Sequence, residues 1–204
     1  MDSDHSDYIE PLLHDHHNAT PDGADGRELF LSRLIHAHQS FYDFWTPWEY
    51  EGRTFDAYGE YHSHAAQYVL VKRAQLWAVD THDYLFIVTR PTYSFADLTS
   101  DITWITQHGI KRVVPKKDHM SSSLTLIIIT DSASDEVMRA VTKTRFRKNY
   151  LLGIHGWTDL RLALINLSAP AGSQVVCNTA GKALRKVLNS NLAVHNNDIR
   201  KDFV

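Results

Sequence analysis

The run Leu124-Thr-Leu-Ile-Ile-Ile-Thr130 is apolar or β-branched throughout, with Ser121, Ser122 and Ser123 on one side and Asp131 on the other. A run without polar alternation suits a strand buried on both faces. A helix leaves it at once: Ser132 or Ser134 can cap it, Asp135 and Glu136 complement its N-terminal dipole, and Arg139, Lys143 and Arg147 repeat every four residues on an exposed side. Upstream, Lys111 to Met120 is a polar, basic connection holding Pro115. Before that, Ser94 and Asp97 open a helix in capping-box fashion, Leu98, Ile102 and Ile105 form its buried stripe, and Gly109 takes the position beyond its end.

Working outward, the stretch Thr54 to Arg90 reads as a three-stranded antiparallel meander, with strands near 54–64, 67–78 and 84–90, following a turn at Glu51 and Gly52. A first helix starts near Asp25 and carries Phe30, Leu34, Ala37, Phe41 and Trp45 at helical spacing. Downstream, Tyr150 to Leu167 supplies one bent or two short strands, Gln174 to Asn178 a further strand, and Thr179 caps a last helix through Leu188. The order predicts a single α+β domain over 25–190: a three-stranded antiparallel meander extended into a mixed sheet with helices packed on it. Residues 1–24, acidic and rich in histidine, are expected to be a disordered tail, and 191–204 a frayed one.

The chain has 204 residues and one cysteine, Cys177, so it can form no intramolecular disulfide, which fits a reducing cytoplasm. No apolar run is long enough to cross a bilayer, so no membrane is expected among the partners. Charge is uneven: the first 103 residues hold 6 Lys and Arg against 17 Asp and Glu, and the last 101 hold 15 against 7. If the halves form different faces, the resulting dipole steers an anionic partner or drives association, a homodimer included.

The element order resembles the first half of the restriction-endonuclease-like nuclease core, which holds its metal with an acid on one strand and a Glu-x-Lys on the next. That motif is absent from Leu85-Phe-Ile-Val-Thr89, and Glu60, Lys72 and Asp80 would have to serve as a migrated version. The segments Tyr68-Val-Leu-Val-Lys-Arg-Ala74 with Trp77, Asp118-His-Met120, His155-Gly-Trp157 with Arg161-Leu162, and Thr179-Ala-Gly-Lys182 resemble small bacterial proteins of unknown function. This second resemblance covers roughly 27–188 and implies a bacterial domain with no activity to transfer.

Asp56, Tyr58, Glu60, His62 and His64 alternate along one strand and therefore share a face. Same-face neighbours lie about 7 Å apart, so Glu60 with His62, or His62 with His64, can give two ligands to one ion. His119 is the candidate third ligand and Asp56 a further ligand or an orienter of an imidazole. The ion would be divalent, zinc or manganese, and water in an open position would make the protein a metal-dependent hydrolase. A small ligand between sheet and helices, lined by Tyr58, Trp77 and Trp157, is the related reading.

The alternative is a protein or nucleic-acid interaction module built on Arg139, Lys143, Arg147 and Lys148, with Trp157 stacking a base. An acidic first half and the lack of any RRM, zinc-finger or helix-turn-helix signature count against nucleic acid. There is no Gly-x-Ser-x-Gly elbow, Walker loop or Gly-x-Gly-x-x-Gly fingerprint. Cys177 with His155 could act as a nucleophile pair only if the fold joins them.

Overall fold

The computed structural model describes residues 25–68, 75–117 and 119–201, with side chains for all of these except 64–68, 75–80 and 198–201. In chain order the elements are α1 (Gly26–His38), β1 (Asp43–Trp45), β2 (Trp48–Tyr50), β3 (Arg53–Phe55), β4 (Ala57–Tyr68), β5 (Gln75–Tyr93), α2 (Phe95–Gln107), β6 (His119–Ala133), α3 (Asp135–Lys143), β7 (Arg147–Asn149), β8 (Trp157–Asn166), β9 (Val175–Cys177) and α4 (Leu184–Lys201). Seven strands make one mixed sheet in the order β1-β4-β5-β6-β8-β7, with β9 also on β8, while β2 and β3 form a separate hairpin. The fold is the expected α+β single domain.

The apolar run is the middle of β6, which pairs in parallel with β5 on one side and β8 on the other. Its alternate residues feed two cores. Leu124, Leu126 and Ile128 point to a front face covered by α2, α3 and the β2–β3 hairpin, where they meet Phe86, Leu162, Leu98, Trp104 and Val137. Ile127 and Ile129 point to a back face covered by α1 and α4, meeting Ile87, Ile165, Phe30 and Leu188. Each fully buried Leu or Ile contributes about 1.5–3 kcal/mol of transfer free energy. Parallel neighbours require crossovers, and α2 and α3 are those crossovers.

Several boundaries differ from the sequence reading, each for a tertiary reason. On the β4 side of β6 the antiparallel strands are β1, β4 and β5, while β7 and β9 pair antiparallel with β8 on the other, and the expected middle strand at 67–78 is divided between two strands. It spans the end of β4, residues 69–74 outside the described set, and the start of β5. The first helix stops at His38, so Phe41 is exposed and Trp45 lies in β1. The helix starts where expected, and Asp25 caps it by accepting from the Arg27 amide.

The capping box of Ser94 and Asp97 forms with both of its bonds. Gly109 does follow α2, but it opens a 3-10 turn, Gly109–Arg112. A Cβ there would sit 3.1 Å from the Phe86 ring, so a larger residue would require that buried ring to shift by a few tenths of an ångström. Glu51 and Gly52 both take positive φ, the two-residue turn geometry that suits the β2–β3 hairpin.

Thr179 does not cap the last helix. Asn178 organises the turn instead: its Oδ1 accepts from the Leu162 and Gly181 amides at 3.0 and 2.8 Å, and its Nδ2 donates to the Leu160 and Thr144 carbonyls at 2.8 and 3.2 Å. Helix α4 then starts at Leu184 and continues past residue 190 to Lys201, burying Leu192 and His195, so the described part of the expected frayed end is helical. The acidic segment 1–24 lies outside the described residues.

Asn178→Ala removes four hydrogen bonds, two of them to amides in buried surroundings, and is expected to lower the unfolding free energy by about 2–4 kcal/mol. Urea denaturation followed by tryptophan fluorescence checks this. An unchanged midpoint would mean that the turn before α4 is held by other contacts.

Candidate functional site

The pleat of β4 behaves as its alternation predicts: Tyr58, Glu60 and His62 share the front face of the sheet. Antiparallel pairing places Glu60 opposite Tyr84 and His62 opposite His82 on β5. Parallel pairing then sets His82 beside Ser122 on β6, and Ser122 beside Thr158 on β8. A polar row therefore crosses four strands, just beyond the end of the front core. It lies toward the amino ends of β6 and β8, because His119 and Trp157 are the first residues of those strands.

Glu60 anchors the row. Its Oε1 accepts from the Tyr58 hydroxyl at 2.5 Å and from the Arg112 guanidinium, which the 3-10 turn after α2 delivers to it. Arg112 also lies over the rings of Tyr50 and Tyr58. Burial alone would raise the pKa of the Glu60 carboxyl, but hydrogen bonds from Tyr58, Arg112 and His62 outweigh it and hold the group below its ordinary range. Burial, reinforced by the Glu60 charge, pushes the Tyr84 hydroxyl up to about 12.

The remaining oxygen of Glu60, Oε2, is 3.1 Å from His62 Nε2, so this nitrogen must donate, since a carboxylate only accepts. The Nδ1 atoms of His62 and His82 face one another at 2.8 Å, and one of the two must carry the shared proton. With the His62 proton on Nε2, His82 is the donor. The His62 side chain is 47% exposed, so water reaches this pair.

His119 closes the row. Its ring stacks on His82 with centroids 5.9 Å apart and planes 10° from parallel. It is only 3% exposed, and both of its nitrogens are engaged, Nδ1 with the His155 carbonyl at 2.7 Å and Nε2 with the Ser122 hydroxyl at 2.8 Å. The carbonyl requires a proton on Nδ1, which leaves Nε2 to accept from Ser122 in the neutral ring. Beside it, the turn after β7 holds Leu151 and Leu152 at positive φ and exposes Leu152 and Ile154 to solvent.

Of the residues singled out from sequence, Glu60, His62 and His119 come together here. Asp56 does not: it precedes β4, accepts from the Thr89 amide at 2.7 Å, and stands four residues, about 13 Å, from Glu60 along the chain. His64 is opposite Asp80 in the register, and its side chain is outside the described ones. Sequence reasoning missed His82 and Arg112. The available signal for His82 was its own alternation with Tyr84, hidden because the third strand was started at residue 84.

The basic set does not form one helix face. Helix α3 ends at Lys143, where Thr144 turns extended and its hydroxyl bonds back to the Ala140 carbonyl. Arg147 instead lies in β7 and makes a bidentate pair with Asp159, both contacts at 2.7 Å. It also covers Trp157, whose indole donates to Asp159, so this ring is engaged by Arg147 and Asp159. Lys148 sits over Tyr150. Arg139 and Lys143 remain exposed on α3. Cys177 is buried on the back face and does not meet His155, whose carbonyl serves His119 on the front.

A double-mutant cycle tests the anchoring of the row. Arg112→Met keeps the apolar stem but strips a donor from the partly buried Glu60. It is expected to cost about 1–3 kcal/mol in urea unfolding at neutral pH, most of it absent when Glu60 is already Gln. Additive effects of the two substitutions would show that Arg112 and Glu60 do not depend on each other.

No described helix is long and apolar enough to cross a membrane. Comparison with curated proteins and with solved structures finds no match to either. The nuclease resemblance therefore rests on element order alone, and β5 contains no lysine to complete its motif. A model of a family described as a domain of unknown function (DUF8052) matches residues 26–190, which takes in α1 through the first turns of α4 and every residue of the polar row; the chain belongs to this family.

Proposed function

We propose that the polar row is a divalent-cation site of the zinc class, with His62 and His82 as ligands and Glu60 orienting His62. One observation carries the reading: the two Nδ1 atoms face each other at 2.8 Å while Glu60 takes up the other nitrogen of His62. Metal-binding imidazoles commonly give their second N–H to a carboxylate, which fixes the ring and makes it a better donor. Here that carboxylate is itself held by Tyr58 and Arg112. A cation would replace the shared proton between the rings. Tetrahedral zinc at about 2.05 Å from each nitrogen needs them about 3.3 Å apart, an opening of about 0.5 Å. Imidazole donors favour zinc over manganese.

Among the described residues no three His, Cys, Asp or Glu side chains are preassembled around one point. Two imidazoles with an exposed side suit an open site rather than a closed structural one. Water in the open positions would be acidified, and hydrolysis of a small substrate is the chemistry such a site serves. The interaction-module reading is weaker, because Asp159 and Tyr150 already engage Arg147 and Lys148.

Zinc titrated calorimetrically into the tag-free full chain tests this. Binding is expected to release protons and to weaken on acidification, because an imidazole must be neutral to ligate. The double variant His62→Gln/His82→Gln should lose the tightest site while keeping its circular dichroism, and Glu60→Gln should weaken it by about tenfold. His14, His16 and His17 contribute the same background in every variant. Zinc affinity undiminished in the double variant would overturn the proposal.

A further inference from the structure

The back face carries a different feature, independent of the cation site. Between α1, α4 and the sheet lies a cavity of about 180 Å³, walled chiefly by Leu34, Phe44, Leu85, Ile127, Leu184 and Leu188. Protein interiors pack as densely as organic crystals, and voids larger than a water molecule are few. An apolar cavity of about 150 Å³ is enough to stay dry and admit benzene. The space is shaped by sequence. Gly59 on β4 is bare beneath Phe44 and Tyr42: an added Cβ would come within 2.9 Å of the Phe44 ring and displace the aromatic wall.

The polar part of the wall has a definite hydrogen-bonding sense. Tyr42 and Thr125 line the cavity, yet both hydroxyl protons are given to Asp83, at 3.0 and 2.7 Å. Asp83 also accepts from Arg161 at 3.2 Å. Burial pushes the Asp83 carboxyl above its ordinary range against the pull of Thr125, Arg161 and Tyr42, but all three contacts are donors and only a carboxylate satisfies them together. His38, the third polar residue of the wall, has Nδ1 2.8 Å from the Leu34 carbonyl, so its proton is there and Nε2 is an acceptor. The unspent capacity of this wall is lone pairs alone.

We infer that this cavity binds a small apolar molecule bearing one hydrogen-bond donor, of the size of phenol or indole. The apolar walls take the body of the molecule, and the oxygen and nitrogen acceptors of Tyr42, Thr125 and His38 take its N–H or O–H. A molecule with an acceptor at that end would leave facing lone pairs unpaired and is disfavoured. Entry is by the side of Val187, which lines the cavity from α4 and is 42% exposed.

The test is titration of the full chain with indole and with indene, its isostere lacking the N–H, followed by ligand-observed NMR and by thermal unfolding. Indole is expected to bind saturably, to raise the unfolding temperature, and to bind about fivefold tighter than indene, the worth of one net hydrogen bond. Val187→Phe, at a position exposed enough to accept the larger ring, is expected to block both molecules while leaving the unfolding temperature of the free protein unchanged. Leu184→Phe should fill the cavity from a second side and likewise abolish binding. Absence of saturable indole binding, equal or tighter binding of indene, or binding that survives both substitutions would each overturn the inference.

Discussion

Burial of β6 on both faces, with parallel partners on both edges, is the constraint from which the rest of the molecule follows. A strand in that position has no edge and no face left for water. Its amides and carbonyls must be satisfied by neighbouring strands, and its side chains by helices above and below. Two parallel partners oblige the chain to cross over twice, which fixes α2 and α3 on the front. The back is left for α1 and α4, the elements contributed by the two ends of the domain.

The same pleat that divides the apolar residues divides the polar ones. Beyond the front core the strands carry Glu60, His62, His82 and Ser122, and on the back they carry Asp83, Ser123, Thr125 and Arg161. One face thus gathers imidazoles around a carboxylate, and the other a buried carboxylate around which hydroxyls and a guanidinium point inward. Neighbouring residues such as His82 and Asp83 serve opposite sides of the sheet. The front row lies at the amino ends of the parallel strands, away from the carboxyl ends where open α/β sheets commonly bind their ligands.

Electrostatics decide which charged groups remain available. The sequence halves differ sharply in charge, but the fold pairs across them: Arg112 with Glu60, Arg161 with Asp83, and Arg27 with Asp131. In the first two pairs an acid of the first half is met by a base of the second, and in the third the signs are reversed, so the halves interleave at these points rather than forming separate faces. Arg147 is withdrawn from the basic set by Asp159 in the same way.

Sequence alone determined what depends on neighbours along the chain: the doubly buried run 124–130, the capping box at Ser94 and Asp97, the shared face of Tyr58, Glu60 and His62, and with them the α+β class. Strand period and helix capping act over a few residues, and the sequence displays them directly. Only the tertiary structure decided that His82 faces His62, that a 3-10 turn carries Arg112 to Glu60, that Asn178 rather than Thr179 organises the start of α4, and that α1 and α4 leave a cavity above Thr125. Each of these is set by register between distant strands or by packing between elements, and such pairings join residues that nothing along the chain marks as partners.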